Sequence, residues 1–160
     1  MYRWGHIGAA LLLYAPVAAA VTHAGEPLLT AVGGLVAVAC ATLPDADELL
    51  PIDHRGPTHT IWFVFGGAFG FAAIGGLFGG FVGRPTVFAA TAGGAAFLSL
   101  GSHLLADSIT PMGIRPFYPL SMWHHSFDIT PAANPRANTT MLGIGLSFAL
   151  LCQVLAIGLP

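Results

Sequence analysis

The stretch LPDADELLPIDHRGPTHT, residues 43–60, concentrates charge between two long apolar runs. It holds four acidic residues, two histidines and one arginine, in a chain that is 55% hydrophobic and only 8% charged. Ionisable groups beside lipid-embedded segments are costly unless they are paired or bind a ligand, so they usually mark a functional site. The stretch therefore predicts a polar site where it joins two membrane-spanning segments.

The composition indicates that lipid is the solvent for most of the chain. A soluble domain carries about 25% charged residues, roughly three times the share found in these 160 residues, and the mean hydropathy is +0.76. The net charge is −2, with five arginines and no lysine. The chain therefore offers no basic surface for nucleic acid. Cys40 and Cys152 lie within apolar runs and are predicted to be small buried side chains.

Five apolar runs approach the roughly 20 residues that a helix needs to cross a bilayer. They span residues 7–22, 28–43, 60–83, 86–106 and 139–159. Helices are expected because a backbone in lipid must satisfy its own hydrogen bonds. The sequence predicts an all-α integral membrane protein with one domain over residues 1–160. This domain is a bundle of about five transmembrane helices with a polar site at one membrane face. The first 24 residues could also be interpreted as a signal peptide.

Threading these runs alternately through the membrane brings polar residues from four sequence regions to one face. The start of the first span, the end of the second, the start of the third and the end of the fourth all lie there. His103 and Asp107 are four residues apart, so a helix places both on one side, with about 5–6 Å between Cβ atoms. The candidate metal ligands at this face are His6, Asp45, Asp47, His54, His59, His103 and Asp107.

Histidine and aspartate without a nearby cysteine are typical ligands of zinc, manganese or non-haem iron. The predicted cofactor is a divalent metal, with zinc preferred to manganese or iron. Because there are more candidate ligands than one zinc takes, one or two ions are predicted, with an aspartate bridging a pair. The pattern leaves open whether Asp45 or Asp47 touches metal. Asp47, His54 and Arg55 are the candidate catalytic residues, with Arg55 and Arg115 near enough to hold a substrate anion.

A second polar and aromatic group precedes the last span. His124, His125 and Asp128 lie there with Trp123 and Phe127. Anchoring of this loop at the membrane interface is the expected role, and direct metal ligation is the alternative.

The arginines divide unequally between the two sides of the membrane. Arg3, Arg55, Arg115 and Arg136 fall on the side of the polar site, and Arg84 falls on the other. Because positive residues are retained inside, the site is predicted to face the cytoplasm, in a protein of the cytoplasmic (inner) membrane.

Glycines four residues apart in the third run allow close helix packing. The pairs are Gly66 and Gly70, Gly75 and Gly79, and Gly76 and Gly80. Packing within the bundle is the expected use, and a homodimer interface is the alternative.

The ordered motifs resemble one family. They are His6, LPDAD at 43–47, HRGPTHT at 54–60, GSHLLADSITPMG at 101–113 and PFYPL at 116–120. Together they resemble the YdjM-type membrane-bound metal-dependent hydrolases, which are LexA-regulated inner-membrane proteins. The resemblance implies hydrolase chemistry and no DNA binding. A looser similarity is to zinc-dependent phospholipase C and the P1-type nucleases, although the H-x3-E pair of a third metal site is missing here.

The predicted function is that of a membrane-bound metal-dependent hydrolase. A metal-activated water would attack a phosphoester or related ester of a lipid or lipid-linked substrate, and membrane lipids are the expected partners. The alternatives are a metal-binding transporter and a non-catalytic membrane scaffold. Transport sites typically lie near the bilayer midplane, whereas these ligands gather at one end of the predicted spans.

Overall fold

The computed structural model describes residues 1–158 and confirms the helical bundle. Its helices are α1 (Arg3–His23), α2 (Pro27–Cys40), α3 (Ile61–Gly80), α4 (Pro85–Ser108) and α5 (Pro135–Gly158). Two 3₁₀ helices, Pro44–Leu49 and Pro57–His59, lie in the connection between α2 and α3. Within residues 1–158 the only β-pairing is an isolated bridge between Ile114 and His125.

Four of the five helices are long and apolar enough to cross a membrane: α1, α3, α4 and α5. Helix α2 is apolar but has only 14 residues, because the backbone turns at Ala41 and the first 3₁₀ helix begins at Pro44. Proline fixes φ and cannot donate a backbone hydrogen bond, so it ends a helix and suits the first turn of the next. Helix α1 begins at Arg3, four residues before the predicted apolar run, and therefore includes His6.

Helix α4 is the centre of the bundle and packs against α1, α2 and α3. Helix α5 packs mainly on α1. The outer faces of α3 and α5 carry exposed apolar side chains, including Phe69 and Leu77 of α3 and Leu150 of α5. Such surfaces are costly in water and favourable in lipid, so these faces are the lipid-contacting surface of the bundle.

Small residues bring the helix backbones together. A Cβ added to Gly75 would lie 2.6 Å from the Phe88 carbonyl oxygen and 2.8 Å from the Ala92 Cβ, and one at Gly79 would lie 2.7 Å from the Arg84 carbonyl oxygen. This pair therefore packs α3 on α4 within the bundle. Gly66 and Gly70 have no atom within 4 Å of an added Cβ. The predicted homodimer interface stays a prediction.

The connections at one end of the bundle are tied to each other. The backbone N–H of Ile61, at the start of α3, donates to the Pro116 carbonyl oxygen at 2.9 Å. Ile114 and His125 exchange backbone hydrogen bonds of 2.9 and 3.0 Å, which folds the long α4–α5 connection on itself. At the other end Arg84 forms an ion pair with Glu26, with its closest N–O distance at 2.6 Å. The two ends of the bundle therefore differ: backbone hydrogen bonds link the connections at one end, and an ion pair lies at the other.

We expect Gly75→Ala to destabilise the protein because its new methyl group meets the α4 backbone. Overpacking of this kind typically costs about 1–3 kcal/mol. Gly66→Ala is the matched control in the same helix, and there the better helix propensity of alanine should leave stability unchanged or raise it by up to about 1 kcal/mol. Thermal unfolding in one detergent compares the two variants, and equal midpoints would contradict the packing assigned to Gly75.

Candidate metal centre

Four side chains from three parts of the fold meet at one end of the bundle. His6 lies in the first turns of α1, Asp45 in the first 3₁₀ helix, and His103 and Asp107 in the last turns of α4. Each offers one ligand atom, and these atoms all lie within 4.8 Å of one another. His6, His103 and Asp107 are buried, and Asp45 is partly exposed. This His/Asp cluster could hold a metal ion.

His59 completes a compact set with three of these residues. Its Nε2 lies 3.2 Å from the His103 Nε2, 3.4 Å from Asp45 Oδ1 and 3.3 Å from Asp107 Oδ2. The His103 Nε2 lies 3.3 Å from Asp45 Oδ1 and 3.5 Å from Asp107 Oδ2. These five distances are five of the six edges of a tetrahedron of two nitrogens and two oxygens, and each nitrogen lies 3.2–3.5 Å from the other three atoms.

The size of this tetrahedron fits a zinc ion. Zinc binds histidine nitrogen at about 2.0–2.1 Å and carboxylate oxygen at similar lengths, usually with tetrahedral geometry. Ligand atoms at the corners of such a site are therefore about 3.3–3.4 Å apart. Among residues 1–158, Asp107 Oδ2 is buried without a hydrogen-bond partner, as expected for an oxygen that faces a cation site.

Hydrogen bonds set the tautomers of His59 and His103 so that each Nε2 is free to bind a metal ion. The His103 Nδ1 lies 2.8 Å from the Ala41 carbonyl oxygen, which only accepts, so Nδ1 carries the proton. The Thr58 hydroxyl donates to Asp47 Oδ2 at 2.7 Å and lies 3.0 Å from the His59 Nδ1, so it accepts from that nitrogen. In each neutral imidazole the lone pair is then on Nε2. Two lone pairs and two carboxylate oxygens then lie close together, and a cation bound between them would satisfy all four.

The second oxygen of each carboxylate is directed toward His6. Asp107 Oδ1 lies 3.4 Å and Asp45 Oδ2 3.8 Å from the His6 Nε2. The Met1 amino group contacts the same Asp107 oxygen, and the Met1 carbonyl oxygen accepts from the His6 Nε2 at 2.7 Å. An ion bound through the His6 Nε2 would have to displace this hydrogen bond, whereas the His6 Nδ1 is buried without a hydrogen-bond partner among residues 1–158.

The electrostatics of the cluster favour positive charge at its centre. Burial raises the pKa of the Asp45 carboxyl, but hydrogen bonds with His103 and His59 outweigh this effect and hold the pKa below its ordinary value. Burial lowers the pKa of His59, but hydrogen bonds with Asp107 and Asp45 outweigh it and leave the pKa raised. Either protons or a bound cation can satisfy such a carboxylate-rich group.

Asp47 lies behind His59, outside the four-residue group that contains Asp45. It is buried, and its oxygens bind the turn that follows. Oδ1 lies 2.9 Å from the His54 Nδ1, and Oδ2 accepts from the Arg55 backbone N–H at 3.1 Å and from Thr58. Burial raises the pKa of this carboxyl, but the hydrogen bonds from His54 and Thr58 outweigh it and lower the pKa. Asp47 therefore holds residues 54–59 in register with the cluster.

His54 and Arg55 lie at the rim of the cluster. His54 is partly exposed, and its Nε2 is 3.9 Å from the Glu48 carboxylate. Arg55 has a positive φ of 59°, and its guanidinium donates to Asp107 Oδ1 at 3.0 Å and to the Thr110 hydroxyl and the Gly113 carbonyl oxygen at 2.9 Å. The guanidinium is directed at Asp107, and its predicted contact with a substrate anion stays a prediction.

A cleft of about 1120 Å³ opens beside the cluster. Asp45, His54 and Arg55 contribute polar groups to its wall, and Trp4 and Met112 contribute exposed apolar surface. The cleft leaves the edge of the candidate metal centre open to the surroundings.

The aromatic loop lies apart from the metal-binding group. His125 is held by its backbone bridge to Ile114, and its ring stacks on Trp123 with a centroid separation of 5.3 Å. The His124 Nε2 donates to the Met112 carbonyl oxygen at 2.8 Å, and Asp128 has a positive φ of 50°. The structure therefore does not bring His124, His125 or Asp128 to the cluster.

Sequence reasoning overlooked the supporting groups. Thr58 and the Ala41 carbonyl oxygen fix the two key imidazoles, and Thr110 fixes Arg55. Thr58 lies inside the quoted motif, between His54 and His59, and that position was the available signal. A backbone carbonyl such as that of Ala41 leaves no signal in the sequence.

Comparison with known proteins identifies one family. The family model described as YdjM inner membrane protein matches residues 1–159. Searches among curated proteins and among solved structures gave no match. The looser similarity to zinc-dependent phospholipase C and P1-type nucleases therefore has no support from these searches.

We expect the purified protein to bind a divalent metal and the variants His59→Ala and His103→Ala to lose it. Each removes one corner of the tetrahedron, and loss of one ligand usually weakens a structural or catalytic zinc site by orders of magnitude. His6→Ala should retain at least one equivalent because His6 is outside the tetrahedron. Elemental analysis in detergent is the measurement.

The control for that experiment is His23→Ala, which alters a histidine at the opposite end of α1. It should bind as much metal as the parent. Equal metal content in the His59→Ala, His103→Ala and His23→Ala variants would show that the cluster is not the binding site.

Proposed function

The chain belongs to the YdjM inner membrane protein family, and from its site we propose that it is a metal-dependent hydrolase of phosphoesters at the membrane surface. One observation carries the proposal. Two imidazoles with their lone pairs fixed on Nε2 lie 3.2 Å apart, and each Nε2 lies 3.3–3.5 Å from the same two carboxylate oxygens, a spacing close to that of ligand atoms around a tetrahedral zinc ion. A buried polar network without a cation would place these acceptors together at considerable cost.

Zinc is the preferred ion, with manganese and iron as alternatives. The ligand set contains nitrogen and oxygen and no sulfur, and the four-corner spacing favours zinc over ions that prefer octahedral sites. His59, His103, Asp45 and Asp107 would hold the first ion. His6 and the second carboxylate oxygens would hold another if the hydrogen bond from His6 to Met1 is released. Bound there, such ions supply Lewis acidity and a water of lowered pKa.

The residues around the cluster divide the remaining tasks. Asp45 and Asp107 each have one oxygen near His59 and His103 and the other near His6, so each carboxylate would bridge a pair of ions. Asp47 orients His54 and His59 through the hydrogen bonds described above, and Arg55 holds Asp107. His54 is bound to Asp47 through Nδ1, and its partly exposed ring lines the cleft. It is the group we assign to donate a proton to the leaving oxygen, a role that requires reach and a suitable pKa.

A lipid or lipid-linked phosphoester is the proposed substrate class. The cleft adjoins apolar surface at Trp4, Leu49 and Met112, each more than half exposed, and these side chains would contact lipid at the membrane surface. A substrate headgroup could enter the cleft while its apolar chains remain in the bilayer. The excess of arginine at this end supports a cytoplasmic orientation.

We expect His54→Ala to lower kcat by a factor of about 10² to 10⁴ while metal content stays at the parental level. General acid catalysis typically contributes this much, and His54 lies outside the tetrahedron. Hydrolysis of p-nitrophenyl phosphate and bis-p-nitrophenyl phosphate, followed by phosphatidic acid and other phospholipids, measures the activity.

The matched control for His54→Ala is His125→Ala, a histidine of the aromatic loop that lies away from the cluster. It should retain parental turnover. Full activity in His54→Ala would show that His54 is not the proton donor. If the metal-loaded parent hydrolyses no phosphoester, the proposed function is wrong.

We expect the site to be shielded from outside the cell. In a Cys152→Ser background, Asp53→Cys marks the site end and Ala24→Cys the opposite end, and both positions are exposed. A membrane-impermeant maleimide should label Ala24→Cys at once and Asp53→Cys only after the inner membrane is opened. The reverse order would place the site on the outer face.

A further inference from the structure

Two small cavities adjoin the cleft and share three lining residues. Their volumes are about 320 and 140 Å³. Both are lined by His54, Arg55 and Arg115, and His124 contributes to the smaller one. His54 and Arg55 also line the main cleft. The space beside Arg115 is therefore next to the proposed proton donor.

The backbone around Arg115 is fixed on both sides. Ile114 is paired with His125, and the Pro116 carbonyl oxygen accepts from Ile61 at the start of α3. The Arg115 carbonyl oxygen accepts from the Tyr118 backbone N–H at 3.2 Å. The backbone from which the Arg115 side chain extends therefore has a defined position near the cluster.

The guanidinium groups of Arg115 and Arg55 differ in the hydrogen bonds that they make. All the hydrogen bonds of Arg55 go to Asp107, Thr110 and Gly113. In residues 1–158 the Arg115 side chain is exposed and makes no ion pair or hydrogen bond. Asp53 lines the larger cavity but does not pair with Arg115. Of the two arginines that line these small cavities, Arg115 is thus the one that is available to a ligand.

We infer that Arg115 binds the phosphate group of the substrate and presents it to His54. The inference rests on the proposed function and names the substrate contact of that site. A planar guanidinium donates two parallel hydrogen bonds to phosphate oxygens. Because His54 lines the same two cavities, a phosphate bound by Arg115 would lie beside the group assigned as proton donor. The phosphate can belong to a lipid headgroup or to a soluble phosphoester.

The test measures binding without turnover. Parent, Arg115→Gln and Arg136→Gln proteins, purified in one detergent, are titrated calorimetrically with glycerol 1-phosphate and with dioctanoyl phosphatidic acid. Arg136 is the matched control, since it is an exposed arginine at the start of α5, at the same end of the bundle, that lines none of the three cavities. Metal content is measured in each sample because a bound metal also attracts phosphate.

We expect Arg115→Gln to weaken binding of both probes by about tenfold or more, the usual value of a charge-assisted contact. Arg136→Gln should bind as the parent does. Tighter parental binding of dioctanoyl phosphatidic acid than of glycerol 1-phosphate assigns the phosphate to a lipid, and equal affinities assign it to a soluble phosphoester. Arg115→Lys should recover only part of the lost affinity, because lysine keeps the charge and lacks the planar fork.

Three results would overturn the inference: no phosphate binding by the parent, unchanged binding by Arg115→Gln, or equal losses in Arg115→Gln and Arg136→Gln. Failure of the proposed function gives a different pattern, since phosphate binding would depend on Arg115 while no phosphoester is hydrolysed. Conversely, hydrolysis with an unchanged KM in Arg115→Gln would leave the proposed function intact and remove the substrate contact.

Discussion

The close approach of imidazole and carboxylate acceptors at one end of the bundle is the constraint on which the surrounding contacts depend. Two imidazole nitrogens and two carboxylate oxygens converge where the apolar bundle meets its polar connections. Three of the four side chains are held by a neighbour that keeps them from turning away: Ala41 holds His103, Thr58 holds His59 and Arg55 holds Asp107. Such second contacts orient ligands and are as necessary to a metal site as the ligands themselves.

The bundle supplies the rigidity that this arrangement requires. Helix α4 carries two ligands and is packed on three sides, and small residues bring α3 and α4 close together. Ser99 of α4 donates to the Ala37 carbonyl oxygen of α2 at 2.6 Å, one turn before the contact between His103 and Ala41. The same two helices are therefore linked twice, and the position of His103 is determined by the packing of α4 as a whole.

The sequence predicted the convergence of the site because alternating spans leave little freedom in which ends meet. It did not decide which of Asp45 and Asp47 joins the His/Asp cluster, because the directions of the two side chains depend on the 3₁₀ helix that begins at Pro44. Only the three-dimensional path shows that Asp47 turns back to hold residues 54–59. The glycine pairs could not be told apart for a similar reason. Gly66 and Gly75 are each followed by a glycine four residues later, but an added Cβ would meet α4 at Gly75 and no atom within 4 Å at Gly66. The sequence does not show which face of α3 is directed at α4. The role of Arg55 depends on a backbone with positive φ, which an arginine rarely adopts.

The shortness of α2 determines how deep the site lies. At 1.5 Å per residue its 14 residues extend about 21 Å, roughly 9 Å less than a hydrocarbon layer of about 30 Å. The ion pair between Glu26 and Arg84 keeps the start of α2 level with the turn between α3 and α4, so the shortfall occurs at the opposite end. In a bilayer of that thickness Asp45 and its neighbours would lie below the ends of the longer helices. Such a position would bring the polar connection between α2 and α3 closer to the hydrocarbon layer than the connections of the longer helices.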